Sequence, residues 1–328
     1  MTKRIVVYRR LHDDQLAQLQ RDFHVDVFEH LEDLDDPAFR AALREAHGLV
    51  GASRRITPEL LDAAPRLEAI ASVSVGVDHY PVDELTRRGI LLCNTPDVLT
   101  ETTADTAFLL IMSAARRAVE LADFVTRGDW RASIGEAQFG SDVHGKTLGM
   151  VGMGRIGAAI ARRGALGFGM HVRYSNASPK PALDEELGAR RCTLDALLGE
   201  ADFVCVTVPL SAQTERLIGA REFGLMRPSS IFVNVSRGRV VDEAALIEAL
   251  EQGRIHAAGL DVFAQEPLPA DSPLPHMANV VALPHIGSAT HETRTAMAQR
   301  AVDNIHLALR GERPISLVNE QAWAERRA

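Results

Sequence analysis

The chain has 328 residues, and its 36 lysines and arginines against 44 aspartates and glutamates leave a formal net charge of -8. This length exceeds what one hydrophobic core normally supports, so we expect two domains with a cleft between them. The acidic balance argues against nucleic acid or an anionic membrane surface as a partner.

Three cysteines, Cys93, Cys192 and Cys205, match neither a C-x-x-C motif nor a zinc-ligand spacing. They indicate reduced thiols in a cytoplasmic protein. The apolar stretch at residues 5–8 is too short for a secretory signal, and the stretch at residues 107–115 is too short to span a bilayer. We therefore expect neither export nor insertion into a membrane.

Short β-branched runs alternate with helical patterns in the first part of the chain. In order they are RIVVY (4–8), DDQLAQLQRDF (13–23), VDVFEH (25–30), AFRAALREA (38–46), GLVGA (48–52), ITPELLDAA (56–64), LEAIASVSVG (67–76) and GILLCNT (89–95). This alternation is typical of a parallel sheet covered by helices. We assign residues 1–99 to a first α/β domain.

A helical pattern over residues 100–130 connects this domain to the next. Thr100 is a candidate N-cap, Gly128 lies near the C-terminal end, and small or apolar residues occupy most faces. We expect one long, largely buried helix.

A second series of strands and helices follows. It comprises TLGMVGM (147–153), GAAIARRGALGF (157–168), MHVRYSN (170–176), LDALLGEA (194–201), DFVCVTVPL (202–210), SIFVNVS (230–236), EAALIEALEQG (243–253), IHAAGLDVF (255–263) and NVVALPH (279–285). The strands are continuous apolar runs, which predicts a doubly wound parallel sheet that is covered on both faces. This second domain occupies residues 100–287. The last helical pattern and the charged tail find no partner strand there, so residues 288–328 are expected to return to the first domain.

Gly152, Gly154 and Gly157 form a G-x-G-x-x-G motif that follows an apolar strand and opens a helix. This is the context in which the motif binds a dinucleotide. Gly152 allows a tight turn, Gly154 allows a pyrophosphate to approach, and Gly157 lets the helix pack on the strand. The motif predicts an NAD(P)-binding Rossmann domain.

The residues after the next strand bear on the choice of cofactor. Ser175, Asn176 and Ser178 are neutral, Lys180 is cationic, and the first acidic residue is Asp184. An acidic residue here would bind the adenosine ribose and repel a 2′-phosphate. Its absence favours NADPH with NADH possible, although Lys180 pointing into solvent would leave only a mild preference.

Arg237, Glu266 and His285 fall at the ends of predicted strands or in the loops just after them. In an open α/β sheet, ligands bind beyond the carboxyl ends of the strands, so these side chains are expected to converge on one crevice. Two simpler interpretations remain open. Arg237 and Glu266 could form an ion pair without a catalytic role, and His285 could merely cap a strand. The histidine spacings fit no common metal-ligand motif, so no metal is expected.

Five motifs occur in a fixed order along the chain. They are SVGVD (74–78), VGMGRIG (151–157), VNVSRGRVVDEAAL (233–246), AAGLDVFAQEP (257–267) and LPHIGSATHETR (283–294). Together they resemble the D-isomer-specific 2-hydroxyacid dehydrogenase family over most of the chain. The resemblance implies two Rossmann or flavodoxin-like parallel-sheet domains and an NAD(P)-dependent oxidoreductase.

The resemblance also implies roles for the matching residues. His285 would be the general acid that protonates the substrate oxygen, and Glu266 would hydrogen-bond the other imidazole nitrogen. Arg237 would bind the substrate carboxylate and polarise the carbonyl. The backbone amides of Val75 and Gly76 would bind the same carboxylate. Cofactor contacts are implied for Gly152, Gly154, Arg155, Ile156, Gly157, Ser175, Asn176, Ser178, Val208, Pro209, Thr214, Val235, Ser236, Asp261 and Gly287.

The implied substrates are small 2-oxo acids such as glyoxylate, hydroxypyruvate or 2-ketogluconate, which would be reduced to D-2-hydroxy acids. The implied assembly is a homodimer, built largely by the cofactor domains and the helix from Thr100. The alternative is a non-enzymatic NAD(P) sensor, like the corepressors that resemble this family. A further possibility, that Arg54 and Arg55 reach the far end of a substrate, competes with their being solvated surface charges.

Overall fold

A computed structural model describes residues 2–9, 11–28, 31, 33–52 and 54–325 of the chain. Its strands are β1 (Arg4–Val7), β2 (His24–Val27), β3 (Gly48–Gly51), β4 (Ala69–Ser72), β5 (Leu91–Cys93), β6 (Thr147–Val151), β7 (His171–Ser175), β8 (Arg190–Arg191), β9 (Phe203–Val206), β10 (Ile231–Asn234), β11 (Ala257–Leu260) and β12 (Val280–Ala282). Its helices are α1 (Asp13–Gln20), α2 (Pro37–Glu45), α3 (Pro58–Asp62), α4 (Val82–Arg87), α5 (Thr100–Ala115), α6 (Ala118–Thr126), α7 (Arg155–Arg162), α8 (Pro181–Leu187), α9 (Leu194–Glu200), α10 (Ala220–Leu225), α11 (Glu243–Glu251), α12 (His291–Leu309) and α13 (Glu320–Glu325).

The chain divides into two compact units. Unit 1 comprises Met1–Leu99 with Thr290–Ala328, and unit 2 comprises Thr100–Ala289. Within the described residues, unit 1 has a five-stranded sheet in the order β2-β1-β3-β4-β5, and unit 2 has a seven-stranded sheet in the order β12-β11-β10-β9-β6-β7-β8. The strand pairs in both sheets are parallel, which confirms the predicted α/β class.

The sheet of unit 2 is buried on both faces. Met150 and Val233 belong to the apolar cluster that α5 and α7 cover, whereas Val204 and Phe232 belong to the cluster on the opposite face. This explains why its strands are continuous apolar runs. The strand order reverses between β6 and β9, and ligands of doubly wound sheets bind beyond the carboxyl ends of the strands at such a point.

The helical pattern at residues 100–130 forms two helices, so the expectation of one long helix was wrong. Arg117 adopts the left-handed conformation with φ of 53°, which ends one helix and starts the next. Its guanidinium forms two hydrogen bonds with Glu120, at 2.8 and 2.6 Å. α5 is largely buried, but α6 has no buried residue. In this chain Val119 and Val125 of α6 are exposed, whereas Leu121 and Phe124 are half-buried.

Unit 1 is completed by the C-terminal part of the chain. α12 packs on β3 and β4, and Leu317 forms an antiparallel bridge with Cys93. The last residues of two predicted segments lie outside the described residues. They are residues 29 and 30 of the strand predicted at 25–30, and residues 326–328 of the charged tail. Across the described part of the chain, the structure contains no helix with the length and apolar character needed to cross a membrane.

Candidate active site

Three glycines shape the turn between β6 and α7. Gly152 has φ of 97°, and a Cβ there would lie 3.0 Å from the amide nitrogen of Val208. A Cβ on Gly157 would lie 2.5 Å from the carbonyl oxygen of Gly152, so glycine lets α7 start close to the strand. A Cβ on Gly154 would meet nothing within 4 Å. Protein atoms therefore surround two of the glycines, while the third faces open space that a phosphate group can enter.

The start of α7 also fits a phosphate-bearing ligand. α7 begins at Arg155, and Gly154 offers no side-chain cap. The first amides of a helix lack partners within the helix and carry partial positive charge. Arg155 is exposed, whereas Ile156 is half-buried against the core. The turn thus presents backbone donors and a cation at the strand edge.

The loop after β7 is tied to the glycine turn by Asn176. Its Oδ1 accepts a hydrogen bond from the amide of Met153 at 3.1 Å, and its Nδ2 donates to the carbonyl of Ser178 at 2.9 Å. Ser175 is half-buried and Ser178 is exposed. The loop therefore has a defined shape and presents neutral groups next to the glycines.

Arg191, at the end of β8, contacts the same loop, and it is not among the cofactor residues predicted from the sequence. Its Nε and Nη2 donate to the carbonyl of Asn176 at 3.1 and 3.0 Å, and Nη2 also donates to the carbonyl of Ala177 at 3.1 Å. Arg191 follows Asn176 by 15 residues, and the pairing of β7 with β8 brings the two together. The only signal in the sequence was a pair of arginines at the end of a weak strand pattern.

Further predicted cofactor residues lie at the carboxyl ends of β9 and β10. Val208 and Pro209 follow β9, and Val235 and Ser236 follow β10. Thr214 donates its hydroxyl to the carbonyl of Pro209 at 2.6 Å. These residues follow strands on the β9 side of the point where the strand order reverses.

The turn that carries Arg237 is held by a buried amide. Asn234, 1% exposed, accepts hydrogen bonds at Oδ1 from the amide and hydroxyl of Ser236 at 3.0 and 2.8 Å, and its Nδ2 donates to the carbonyl of Arg237 at 3.0 Å. A Cβ on Gly238 would lie 1.8 Å from the carbonyl carbon of Phe263. The backbone of Phe263 thus occupies the space that a side chain at position 238 would need. This close approach brings the Arg237 turn beside the segment that carries Glu266.

His285 and Glu266 form a hydrogen-bonded pair. Nδ1 of His285 lies 2.6 Å from Oε2 of Glu266, whose Oε1 accepts a hydrogen bond from the amide of Phe263 at 3.0 Å. His285 has φ of 53°, a left-handed backbone conformation that residues other than glycine rarely adopt. Such strained residues cluster at functional sites. Within the described residues, Nε2 of His285 has no hydrogen-bond partner. The imidazole is therefore oriented by one nitrogen and free to act with the other.

The charges around Glu266 keep it ionised. Partial burial by itself would raise the pKa of Glu266. The hydrogen bonds from His285 and from the amide of Phe263, with the positive charges of His285 and Arg237, outweigh this and lower the pKa below its usual value. Two of the three predicted polar residues, His285 and Arg237, thus act electrostatically on the third, Glu266.

Asp261 holds the turn that follows His285. It is 1% exposed, and its two carboxylate oxygens accept hydrogen bonds from the amides of Ile286 at 2.7 Å and Gly287 at 2.8 Å. Burial raises the pKa of Asp261 in spite of these hydrogen bonds. The implied contact of Asp261 with the cofactor stays a prediction, whereas its hydrogen bonds to the turn after His285 are observed.

Val75 and Gly76 lie in unit 1, in the loop after β4, and both are half-buried. Arg54, in the same unit, donates to the carbonyl of Leu31 at 2.7 Å. Across the described residues, no group of three or more histidine, cysteine, aspartate or glutamate side chains is arranged to hold a metal ion.

Comparison with known proteins places these features in context. Residues 108–287 match the family model described as D-isomer specific 2-hydroxyacid dehydrogenase, NAD binding domain. A relative from Yersinia enterocolitica, named glyoxylate/hydroxypyruvate reductase B, is 51% identical over 321 residues, which are 98% of either chain.

Solved structures match the chain over nearly its whole length. A protein from Thermus thermophilus is 42% identical with a TM-score of 0.88, covering 96% of this chain and 99% of its own. An NADPH-dependent glyoxylate/hydroxypyruvate reductase from Sinorhizobium meliloti, in complex with NADP and malonate, is 34% identical with a TM-score of 0.88 and covers 98% of both chains.

Proposed function

Since the chain belongs to the D-isomer-specific 2-hydroxyacid dehydrogenase family and is an NAD(P)-dependent oxidoreductase, we propose that it reduces small 2-oxo acids to D-2-hydroxy acids. Glyoxylate and hydroxypyruvate are the first candidates because relatives carry those names, and 2-ketogluconate is a further candidate. The observation that carries the proposal is the 2.6 Å hydrogen bond between His285 and Glu266, which orients an imidazole as a proton donor.

When bound, reduced nicotinamide would supply the hydride for C2 of the oxo acid. His285 donates its Nε2 proton to the carbonyl oxygen, which becomes the hydroxyl of the product. Glu266 would hold Nδ1 of His285 and so orient Nε2 for this transfer. The glycine turn and the start of α7 would hold the pyrophosphate, and Asp261 would keep the His285 turn in place.

Arg237 and the loop after β4 would bind the substrate. The guanidinium of Arg237 is permanently charged and planar, so it suits both the carboxylate and the polarised carbonyl oxygen. The amides of Val75 and Gly76 would bind the carboxylate. Binding through the carboxylate and the carbonyl oxygen would fix the position of C2, the carbon that accepts the hydride.

For the cofactor we propose NADPH, with NADH accepted less well. No acidic residue lies between Ser175 and Lys180, so nothing in that loop repels a 2′-phosphate. Arg191 adds a cation directly against the loop backbone. Its Nη1 forms no hydrogen bond within the described residues and remains available to a phosphate.

The assay that tests the function mixes the protein, NADPH and one 2-oxo acid and follows oxidation of the nicotinamide by its near-ultraviolet absorbance. Turnover of glyoxylate or hydroxypyruvate with formation of the D-hydroxy acid is expected. NADPH binding without turnover of glyoxylate, hydroxypyruvate, pyruvate or 2-ketogluconate would instead support a nucleotide sensor.

We also propose a homodimer formed through α6 and the segment that follows it. This surface carries large apolar side chains that are between 52% and 61% exposed: Val119, Val125, Trp130, Ile134 and Phe139. Exposed apolar side chains in one region usually mark an interaction surface. Light scattering on the protein and on a Val125→Asp, Trp130→Asp variant tests it, since the variant should be monomeric.

A cytoplasmic location remains part of the proposal. Cys93, Cys192 and Cys205 all lie in the described part of the chain, and none of them forms a disulfide there. Cysteines without disulfides are usual in a reducing compartment.

A further inference from the structure

The backbone of residues 74–77 after β4, here called the 74–77 loop, turns its carbonyl groups towards the protein. Each of its four carbonyl oxygens accepts a hydrogen bond from unit 1. The donors are the amide of Thr95 to Ser74 at 2.9 Å, Nδ2 of Asn94 to Val75 at 2.9 Å, Oγ of Ser74 to Gly76 at 2.8 Å, and the amide of Tyr80 to Val77 at 3.0 Å.

The amide groups of the same loop are in the opposite situation. Within the described residues, the amides of Val75, Gly76 and Val77 have no hydrogen-bond acceptor, and these residues are half-buried. Backbone amides that are left unpaired in a structured loop need an external acceptor, and consecutive ones form a site for an anion. The loop therefore combines satisfied carbonyls with free donors.

Asn94 is fixed by the C-terminal part of the chain. Its amide donates to the carbonyl of Ser316 at 3.3 Å, and its carbonyl accepts a hydrogen bond from Nδ2 of Asn304 at 3.1 Å. Asn304 is fully buried, and its Oδ1 accepts a hydrogen bond from the amide of Ser316 at 3.0 Å. These bonds involve the backbone of Asn94, so its side chain can be changed without breaking them.

Ser74 is the end of a row of hydroxyl groups. Its Oγ lies 2.7 Å from Oγ of Ser72, which hydrogen-bonds the hydroxyl of Tyr80, and this hydroxyl lies 3.5 Å from that of Tyr8. Burial raises the pKa of both tyrosines, so the row is uncharged at neutral pH. It orients Ser74 without placing a negative charge near the loop amides.

We propose that Asn94 and Ser74 are positioning residues that hold the carbonyls of Val75 and Gly76 inward. This turns the amides of Gly76 and Val77, which share those two peptide groups, outward to bind the substrate carboxylate together with the amide of Val75. This inference rests on the proposed function. It adds that affinity for the oxo acid depends on two side chains that do not touch it.

The test compares Asn94→Ala and Ser74→Ala with Ser74→Thr, which retains the hydroxyl. Asn279→Ala is the matched control, because it removes a side-chain amide that donates to the carbonyl of His256 at 3.2 Å in unit 2. The measurements are kcat and KM for glyoxylate, the Kd of NADPH by fluorescence, the inhibition constant of oxamate, and thermal unfolding.

Both alanine variants should raise the glyoxylate KM and the oxamate constant by about tenfold, with kcat and the NADPH Kd changed by less than about threefold. Ser74→Thr and Asn279→Ala should behave like the parent. An unchanged KM in either folded alanine variant, or an equal loss of NADPH affinity, would overturn the inference.

If the parent protein reduces no oxo acid, calorimetry with oxamate separates the two failures. Oxamate binding that is weakened in Asn94→Ala would uphold the positioning role while the proposed reaction fails. A parent protein that binds no oxamate would overturn the inference itself.

Discussion

Nδ1 of His285 lies 2.6 Å from Oε2 of Glu266, and the other oxygen of that carboxylate accepts the amide of Phe263. The backbone therefore fixes the carboxylate through one oxygen, and the other oxygen orients the imidazole. His285 is further constrained by a left-handed backbone conformation. The side chain of this exposed histidine is fixed by a hydrogen bond, and its backbone is fixed by the turn. Such an imidazole is suited to proton transfer in a defined direction.

Replacing the histidine tests this directly. His285→Ala should lower kcat by about 10²–10⁴-fold, the usual loss when a general acid is removed, and leave the NADPH Kd nearly unchanged. His276→Ala is the control, because His276 is also exposed and is the last residue of the 3-10 turn Leu274–His276. A His285 variant with kcat within about threefold of the parent would remove this residue from the reaction.

The lowered pKa of Glu266 predicts a pH dependence with a defined sign. Because folding favours its ionised form, the pair stabilises the protein fully above the ordinary glutamate pKa and loses this contribution as the pH falls through the lower folded-state pKa. Glu266→Gln keeps a similar shape but cannot ionise, so it should lose this pH-dependent contribution. Chemical denaturation over a pH series should therefore show that the stability of the parent relative to Glu266→Gln falls as the pH drops below the ordinary glutamate pKa. A stability difference that does not change with pH would contradict the lowered pKa of Glu266.

Arg237 is expected to act through its geometry as well as its charge. Arg237→Lys keeps the charge but loses the planar pair of donors, so the KM for glyoxylate should rise by about tenfold or more. Arg239→Lys is the matched control, since Arg239 is exposed and pairs with Glu215 at 2.5 Å. Steady-state kinetics with glyoxylate distinguishes them, and equal effects of the two substitutions would contradict a specific role for Arg237.

Arg191 should determine much of the preference between cofactors. Arg191→Ala should raise the KM for NADPH by about tenfold while changing that for NADH much less, because a hydrogen bond to a charged phosphate is lost only with NADPH. The dissociation constants of adenosine 2′,5′-bisphosphate and of AMP, measured in the parent and in Arg191→Ala, give the same comparison without turnover. Arg190→Ala is the control, because neighbouring residues of a strand point to opposite faces.

Two outcomes of the cofactor experiment would count against this assignment. Equal weakening of both nucleotides would mean that Arg191 only supports the loop backbone. A larger effect of Lys180→Ala than of Arg191→Ala would return the role to the lysine that the sequence suggested.

Gly157 should tolerate no side chain. Gly157→Ala places a Cβ 2.5 Å from the carbonyl oxygen of Gly152, so α7 must shift at a cost of about 1–3 kcal/mol. The thermal midpoint and NADPH affinity should both fall. Gly224→Ala, in α10 with nothing within 4 Å of the new atom, should leave both intact. Unchanged NADPH affinity in Gly157→Ala would contradict the proposed position of the cofactor.

The sequence alone was sufficient for the features that depend on neighbours along the chain. Apolar runs such as the one at residues 202–210 predicted buried parallel strands, and the spacing of Gly152, Gly154 and Gly157 predicted the turn between β6 and α7. Both are local patterns, because burial of a strand and the crowding of a tight turn are set by residues within one or two elements.

The tertiary structure decided the contacts between residues that are distant along the chain. Nothing local indicates that Arg191 reaches the backbone after β7, that Asn304 holds Asn94, or that Arg117 would break the helix at residues 100–130. Residue types at strand ends suggested His285 and Glu266, but they are 19 residues apart, and only the packing of the turns after β11 and β12 brings Nδ1 within hydrogen-bonding distance of the carboxylate. Chemistry at this site depends on distances that backbone packing sets, and periodicity in a sequence does not encode them.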